Sequence, residues 1–114
     1  MITINGIDPK MIANNLTPYR PVHPGEILKD EIEYRGISQR KLASQMGVSY
    51  SVLNEILNCK RQINTEFAIL IEAALDVEAD TLIRMQSGYN MQVARKDKKI
   101  MDRFNKIRKI ASIF

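Results

Sequence analysis

The chain is poor in the residues that most catalytic and metal chemistry needs. Its 114 residues include one cysteine, Cys59, one histidine, His23, and no tryptophan. A single thiol forms no intramolecular disulfide, which fits a reducing compartment. One His and one Cys cannot assemble a Cys/His metal site within one chain, so no metal is expected. The five glycines stand singly, and neither a G-x-x-x-x-G-K-[ST] loop nor a G-x-G-x-x-G turn occurs, so no phosphate cradle or cofactor is expected. No nucleophile is paired with a base, which leaves no catalytic residue and no small-molecule substrate to propose. No stretch approaches the roughly eighteen consecutive apolar residues of a membrane span. The opening MITINGIDPK lacks the basic start and apolar run of a secretory signal. A cytoplasmic protein with no membrane partner is expected.

Charge is present but unevenly placed. The formal net charge is +4, yet residues 95–114 hold eight Lys/Arg against two Asp/Glu, and residues 1–94 hold nine against eleven. The body is slightly acidic and the tail strongly basic, so total charge does not by itself establish nucleic-acid binding; local placement has to carry it.

Along the chain, residues 1–22 form an arm containing Pro9, Pro18 and Pro21, without sustained periodicity apart from a short strand expected at Ile2–Ile7. From His23 to Lys96 the pattern is helical. Pro24 suits a first helical position, with Glu26 in the first turn and Gly36 as the stop. Ser38 and Ser49 are N-caps for a second helix ending before Gly47 and a third running to about Asn58. Asn64 caps a fourth, in which Phe67, Leu70, Ile71, Ala74 and Leu75 form the clearest amphipathic stripe. A fifth begins near Asp80 and carries Leu82, Met85, Gln86, Tyr89 and Val93. Tyr34 and Tyr89 are expected to be partly buried, and His23 to cap the first helix. Residues 97–114 form a basic amphipathic helix with Ile100, Phe104, Ile107, Ala111 and Phe114 spaced 4, 3, 4 and 3. The fold class is all-α: an arm (1–22), a helical domain (23–96) and a tail (97–114). The tail suits a dimer contact, docking in a groove on a partner or, least of the three, a lipid surface.

The segment Gln39–Asn58 carries the functional reading. Met46, Gly47 and Val48 leave room only for a tight corner, and Ala43 is small where the next helix passes. Glycine turn, small residue and spaced apolar positions describe a helix-turn-helix unit; the alternative is an ordinary αα-corner. If Leu53, Ile56 and Leu57 face inward, the outer face of the third helix carries Ser51, Asn54, Glu55 and Asn58, with Tyr50 at its margin. Such a face suits a DNA major groove, where Asn can pair with both the N6 and N7 positions of adenine. Tyr50, Ser51 and Asn54 are the candidate base-reading residues. Gln39, Arg40, Asn58, Lys60 and Arg61 are the candidate contacts to the phosphate backbone. Glu55 opposes phosphate and is expected to be a surface side chain. Lys41 serves equally as a solvated surface charge.

On these residues the chain resembles the HigA family of antitoxins, within the phage-repressor-like helix-turn-helix proteins. The matching segments are HPGEIL (23–28), GISQRKLASQMGVS (36–49), LNCKRQI (57–63), FAILIEAAL (67–75) and MQSGYNMQVAR (85–95), the last with its Q-x-x-Y-x-x-x-x-A-R ending. The resemblance implies a five-helix, lambda-repressor-like domain that dimerises, represses its own operon at an inverted-repeat operator, and neutralises a partner toxin that cleaves mRNA. It places DNA-facing roles on Gln39, Tyr50, Ser51, Asn54, Asn58 and Arg61. The chain departs from the family at Cys59, where glycine is usual, at Leu82, where tryptophan is common, and at Asn90, where aspartate is common. Two other readings stand beside it: a stand-alone repressor of a mobile element, and a helical protein-interaction module without DNA affinity.

Overall fold

The computed structural model describes residues 21–111. The expected strand at Ile2–Ile7, most of the arm, and Phe114 lie outside the described residues. Six helices follow one another: α1 (Pro24–Arg35), α2 (Gln39–Met46), α3 (Tyr50–Leu57), α4 (Thr65–Leu75), α5 (Ala79–Lys96) and α6 (Lys98–Ala111). Among the described residues there is no strand, and no helix is long and apolar enough to cross a membrane.

The helix starts follow from local chemistry. Oγ of Ser38 accepts from the Lys41 N–H at 3.3 Å and Oγ of Ser49 from the Val52 N–H at 3.1 Å, each satisfying one backbone donor that a helix start leaves open. Oδ1 of Asn64 does the same for the Phe67 N–H at 2.8 Å. The α5 start has no cap of its own; Oε1 of Glu72, back on α4, accepts the Ala79 N–H at 2.9 Å and closes the corner. Asp97 separates α5 from α6, its Oδ1 accepting from the Lys99 and Ile100 N–H groups.

One core holds α1 to α5 together. Leu28 and Ile32 of α1, Leu42 and Ala43 of α2, Leu53, Ile56 and Leu57 of α3, and Ile71 and Leu75 of α4 are buried against one another. Leu82 of α5 joins them, so the smaller residue at that position still packs in the core. Two expectations need correction. On α4 the buried arc is Phe67, Ala68, Ile71 and Leu75, with Leu70 half-buried and Ala74 exposed. At about 100° per residue the four buried side chains share one arc running from Phe67 to Ala68, and Leu70 and Ala74 fall outside its Phe67 edge. Tyr34 is 89% exposed and no part of the core, because it falls on the outer face of α1, opposite Leu28 and Ile32. No residue of α6 is buried.

Candidate nucleic-acid interface

The corner between α2 and α3 is built on Gly47, whose φ of 72° lies in the left-handed region that favours glycine. The Val48 N–H then returns to the Ala43 carbonyl at 3.0 Å, closing the end of α2. This corner turns the apolar side of α3 inward and leaves Ser51 and Asn58 exposed, with Asn54 half-buried at the seam with α2.

The outer face is wired, not merely polar. Nδ2 of Asn54 donates to Oε1 of Gln39 at 3.2 Å, bridging α3 to the start of α2. Nδ2 of Asn58 donates to the Asn54 carbonyl at 2.9 Å and to Asn54 Oδ1 at 3.2 Å. Nζ of Lys29, on α1, donates to Oδ1 of Asn58 at 3.2 Å. A hydrogen-bonded row, Lys29–Asn58–Asn54–Gln39, therefore crosses three helices. Sequence reasoning found three of its members and missed Lys29; no local pattern marks a contact between residues 29 positions apart.

The cations lie at the rim. The Arg40 guanidinium carbon sits 4.3 Å from the centre of the Tyr50 ring, a cation–π contact that orients the guanidinium while leaving its N–H groups available. Nε of Arg61 donates to Oε2 of Glu55 at 3.1 Å, so the carboxylate that seemed out of place on this face is matched by a neighbouring cation. Lys60 and Ser51 are exposed.

The loop bearing Lys60 and Arg61 is held from behind by residues whose roles the sequence did not reveal. Gln86 is buried in α5, and its Oε1 accepts the Ile63 N–H at 2.9 Å. Nε2 of Gln86 donates to Asn90, and Nδ2 of Asn90 to Gln62 at 2.8 Å. A polar residue at a core position of a periodic helix was the available signal. His23 is the second clamp. Its Nδ1 accepts the Gly25 N–H at 2.9 Å, capping α1 as expected, and its ring meets Tyr89 edge-on at 5.0 Å. Burial pushes the His23 pKa below its ordinary 6.5, against a backbone hydrogen bond at Arg61 and the charge of Glu26, which both pull upward. Gly25 completes the clamp: a Cβ there would overlap the Ile56 carbonyl oxygen at the end of α3. His23, Gly25, Gln86 and Tyr89 thus tie the ends of the domain to the α3 exit.

A tightly cornered helix pair, with an exposed polar second helix and cations at its rim, defines the helix-turn-helix class. The helix-turn-helix family model matches residues 28–82. Virulence-associated protein I of Dichelobacter nodosus is 35% identical over 78 residues, covering 68% of this chain and 72% of that protein. The Pseudomonas aeruginosa antitoxin HigA, solved with the higBA promoter, is similar at 37% identity with a TM-score of 0.63, over 66% of this chain and 83% of that one. A HigA-family addiction module antidote protein from Coxiella burnetii shares 26% identity, with a TM-score of 0.64 over 79% of this chain and 94% of that one. The chain belongs to the helix-turn-helix family and, within it, to the HigA-type antitoxins, which are regulators and not enzymes.

Proposed function

We propose that the protein is a sequence-specific DNA-binding repressor, the antitoxin of a HigBA-type module, which represses its own operon and neutralises an mRNA-cleaving toxin. The observation that carries the DNA-binding part is the Lys29–Asn58–Asn54–Gln39 row on the open face of α3. Asn54 and Ser51 read base edges in the major groove, with Tyr50 beside them. Gln39, Arg40, Asn58, Lys60 and Arg61 contact the phosphate backbone, aided by the open N–H groups at the start of α2. The relative solved on promoter DNA supports this reading. Acting as a homodimer in the cytoplasm, the protein selects an inverted repeat with half-sites roughly 34–36 Å apart.

A salt-titrated gel shift with the DNA upstream of the gene tests the repressor. Retarded DNA that dissociates steeply with salt is expected, and no shift at low salt would leave a helical protein-interaction module. Co-expression with the neighbouring reading frame tests the antitoxin. Restored growth is expected; a neighbour that is harmless alone would leave a stand-alone repressor.

A further inference from the structure

Lys29 stands apart from the cations at the rim. It is half-buried on α1, and its ammonium donates to the amide oxygen of Asn58 at 3.2 Å. A close helix approach puts it there. Gly25, one turn earlier on the same face of α1, lies so near the Ile56 carbonyl that a Cβ would overlap it. Two residues beyond Ile56 comes Asn58, the C-cap of α3.

A side-chain amide has a donor end and an acceptor end, whereas an ammonium has donors only. The row that starts at Lys29 therefore has one direction. Lys29 faces the oxygen of Asn58, so Nδ2 of Asn58 must face acceptors, and it meets the carbonyl and Oδ1 of Asn54 at 2.9 and 3.2 Å. Gripped at both ends, the Asn58 amide neither turns over nor swings out. With Oδ1 of Asn54 on the Asn58 side, its Nδ2 lies on the other and donates to Oε1 of Gln39 at 3.2 Å. Gln39 is left with Nε2, a pure donor, at the start of α2. Lys29 is the one member of the row that cannot be reversed.

Asn54 consequently offers an acceptor on its Asn58 side and a donor on its Gln39 side. The second lone pair of Oδ1 and the second hydrogen of Nδ2 remain for a base. Adenine supplies the matching N6 donor and N7 acceptor. A reversed row would set oxygen against N7, and the Gln39 oxygen against phosphate.

We propose that Lys29 is a positioning residue for base recognition: acting through Asn58, it fixes the donor and acceptor ends of Asn54, and so selects adenine without touching the base. The proposal rests on the DNA-binding reading above and adds a residue of α1 to it.

A double-mutant cycle on the full chain tests it. Lys29→Met keeps the aliphatic stem and removes every donor, Lys29→Arg keeps a donor-only group, and Asn54→Ala is combined with Lys29→Met. Circular dichroism verifies folding, and Lys29→Gln replaces the methionine variant if that one does not fold. Against operator duplexes carrying single base-pair changes, Lys29→Met is expected to lower discrimination roughly three- to tenfold at the base pair that Asn54 reads, and nowhere else. Lys29→Arg retains the discrimination, and Lys29→Met adds nothing in the Asn54→Ala background. In the free protein, the side-chain amide resonances of Gln39, at the far end of the row, should move in Lys29→Met and hold in Lys29→Arg. Equal weakening at every base pair would make Lys29 a phosphate contact and overturn the proposal. So would additive losses in the double variant, or unmoved Gln39 resonances. A wild type that shifts no DNA ends the DNA-binding reading and this proposal with it. A wild type whose preference at that base pair survives Lys29→Met ends this proposal alone.

Discussion

Nδ2 of Asn54 donates to Oε1 of Gln39 across 3.2 Å, which ties the middle of α3 to the first residue of α2. The two side chains hold each other's rotamers before DNA arrives. On the proposed reading, in which Asn54 meets a base and Gln39 a phosphate, that lowers the ordering cost of the pair.

Gly25→Ala should destabilise the domain by about 2 kcal/mol or more, since the added methyl meets backbone at the end of α3 rather than a movable side chain. Chemical denaturation measures this directly. Gly88→Ala, with nothing within 4 Å of its added methyl, is the matched control and should be neutral or slightly stabilising.

Cys59→Gly should stabilise by about 1 kcal/mol, because Cys59 holds a φ of 63°, where a side chain is strained and glycine is not. The family's usual glycine at this position has the same cause. A thermal midpoint that rises, with DNA affinity unchanged, is the expected result.

His23 gives a pH dependence whose sign is fixed. Its folded pKa lies below 6.5, so the unfolded chain binds the extra proton first. The contribution is complete above the unfolded value and is lost as pH falls through 6.5 toward the folded value. Protonation also removes the Nδ1 acceptor that caps Gly25. The thermal midpoint should therefore drop as the pH falls below about 6.5. His23→Asn, which keeps a capping group but does not titrate, should be less stable at pH 7 and flatter across that range.

Glu55→Gln should leave stability nearly unchanged, because its pair with Arg61 is well exposed and such pairs contribute about 0–1 kcal/mol. It should strengthen binding to all DNA sequences alike, since it removes a negative charge from the rim proposed to face DNA and frees Arg61 for phosphate. Competition with unrelated duplex DNA measures the change. Weaker binding would mean that Glu55 accepts from a base.

Much of the fold was legible because its signals are local. Caps at Ser38, Ser49 and Asn64 and the stops at Gly36 and Gly47 act within a few residues, and all fall where the sequence implies. The outward residues of α3 follow from the same periodicity. What escaped were contacts between distant positions: Lys29 with Asn58, and Gln86 with the Ile63 backbone. Tyr34 misled because an aromatic residue near the end of an amphipathic helix suggests burial, while its angular position on α1 is outward. Which of two neighbouring faces α4 would bury depended on the partner helix, not on α4 itself.

The central claim is that α3 reads sequence while the rim holds phosphate, and operator binding by Asn54→Ala and Arg61→Ala measures it most directly. Against a panel of single-base operator variants, Asn54→Ala should lose about 1–3 kcal/mol and become indifferent at one base pair of each half-site. Arg61→Ala should weaken every variant equally and reduce the salt slope by about one. Identical behaviour of the two proteins, or an Asn54→Ala variant with unaltered preference at every position, would contradict the account.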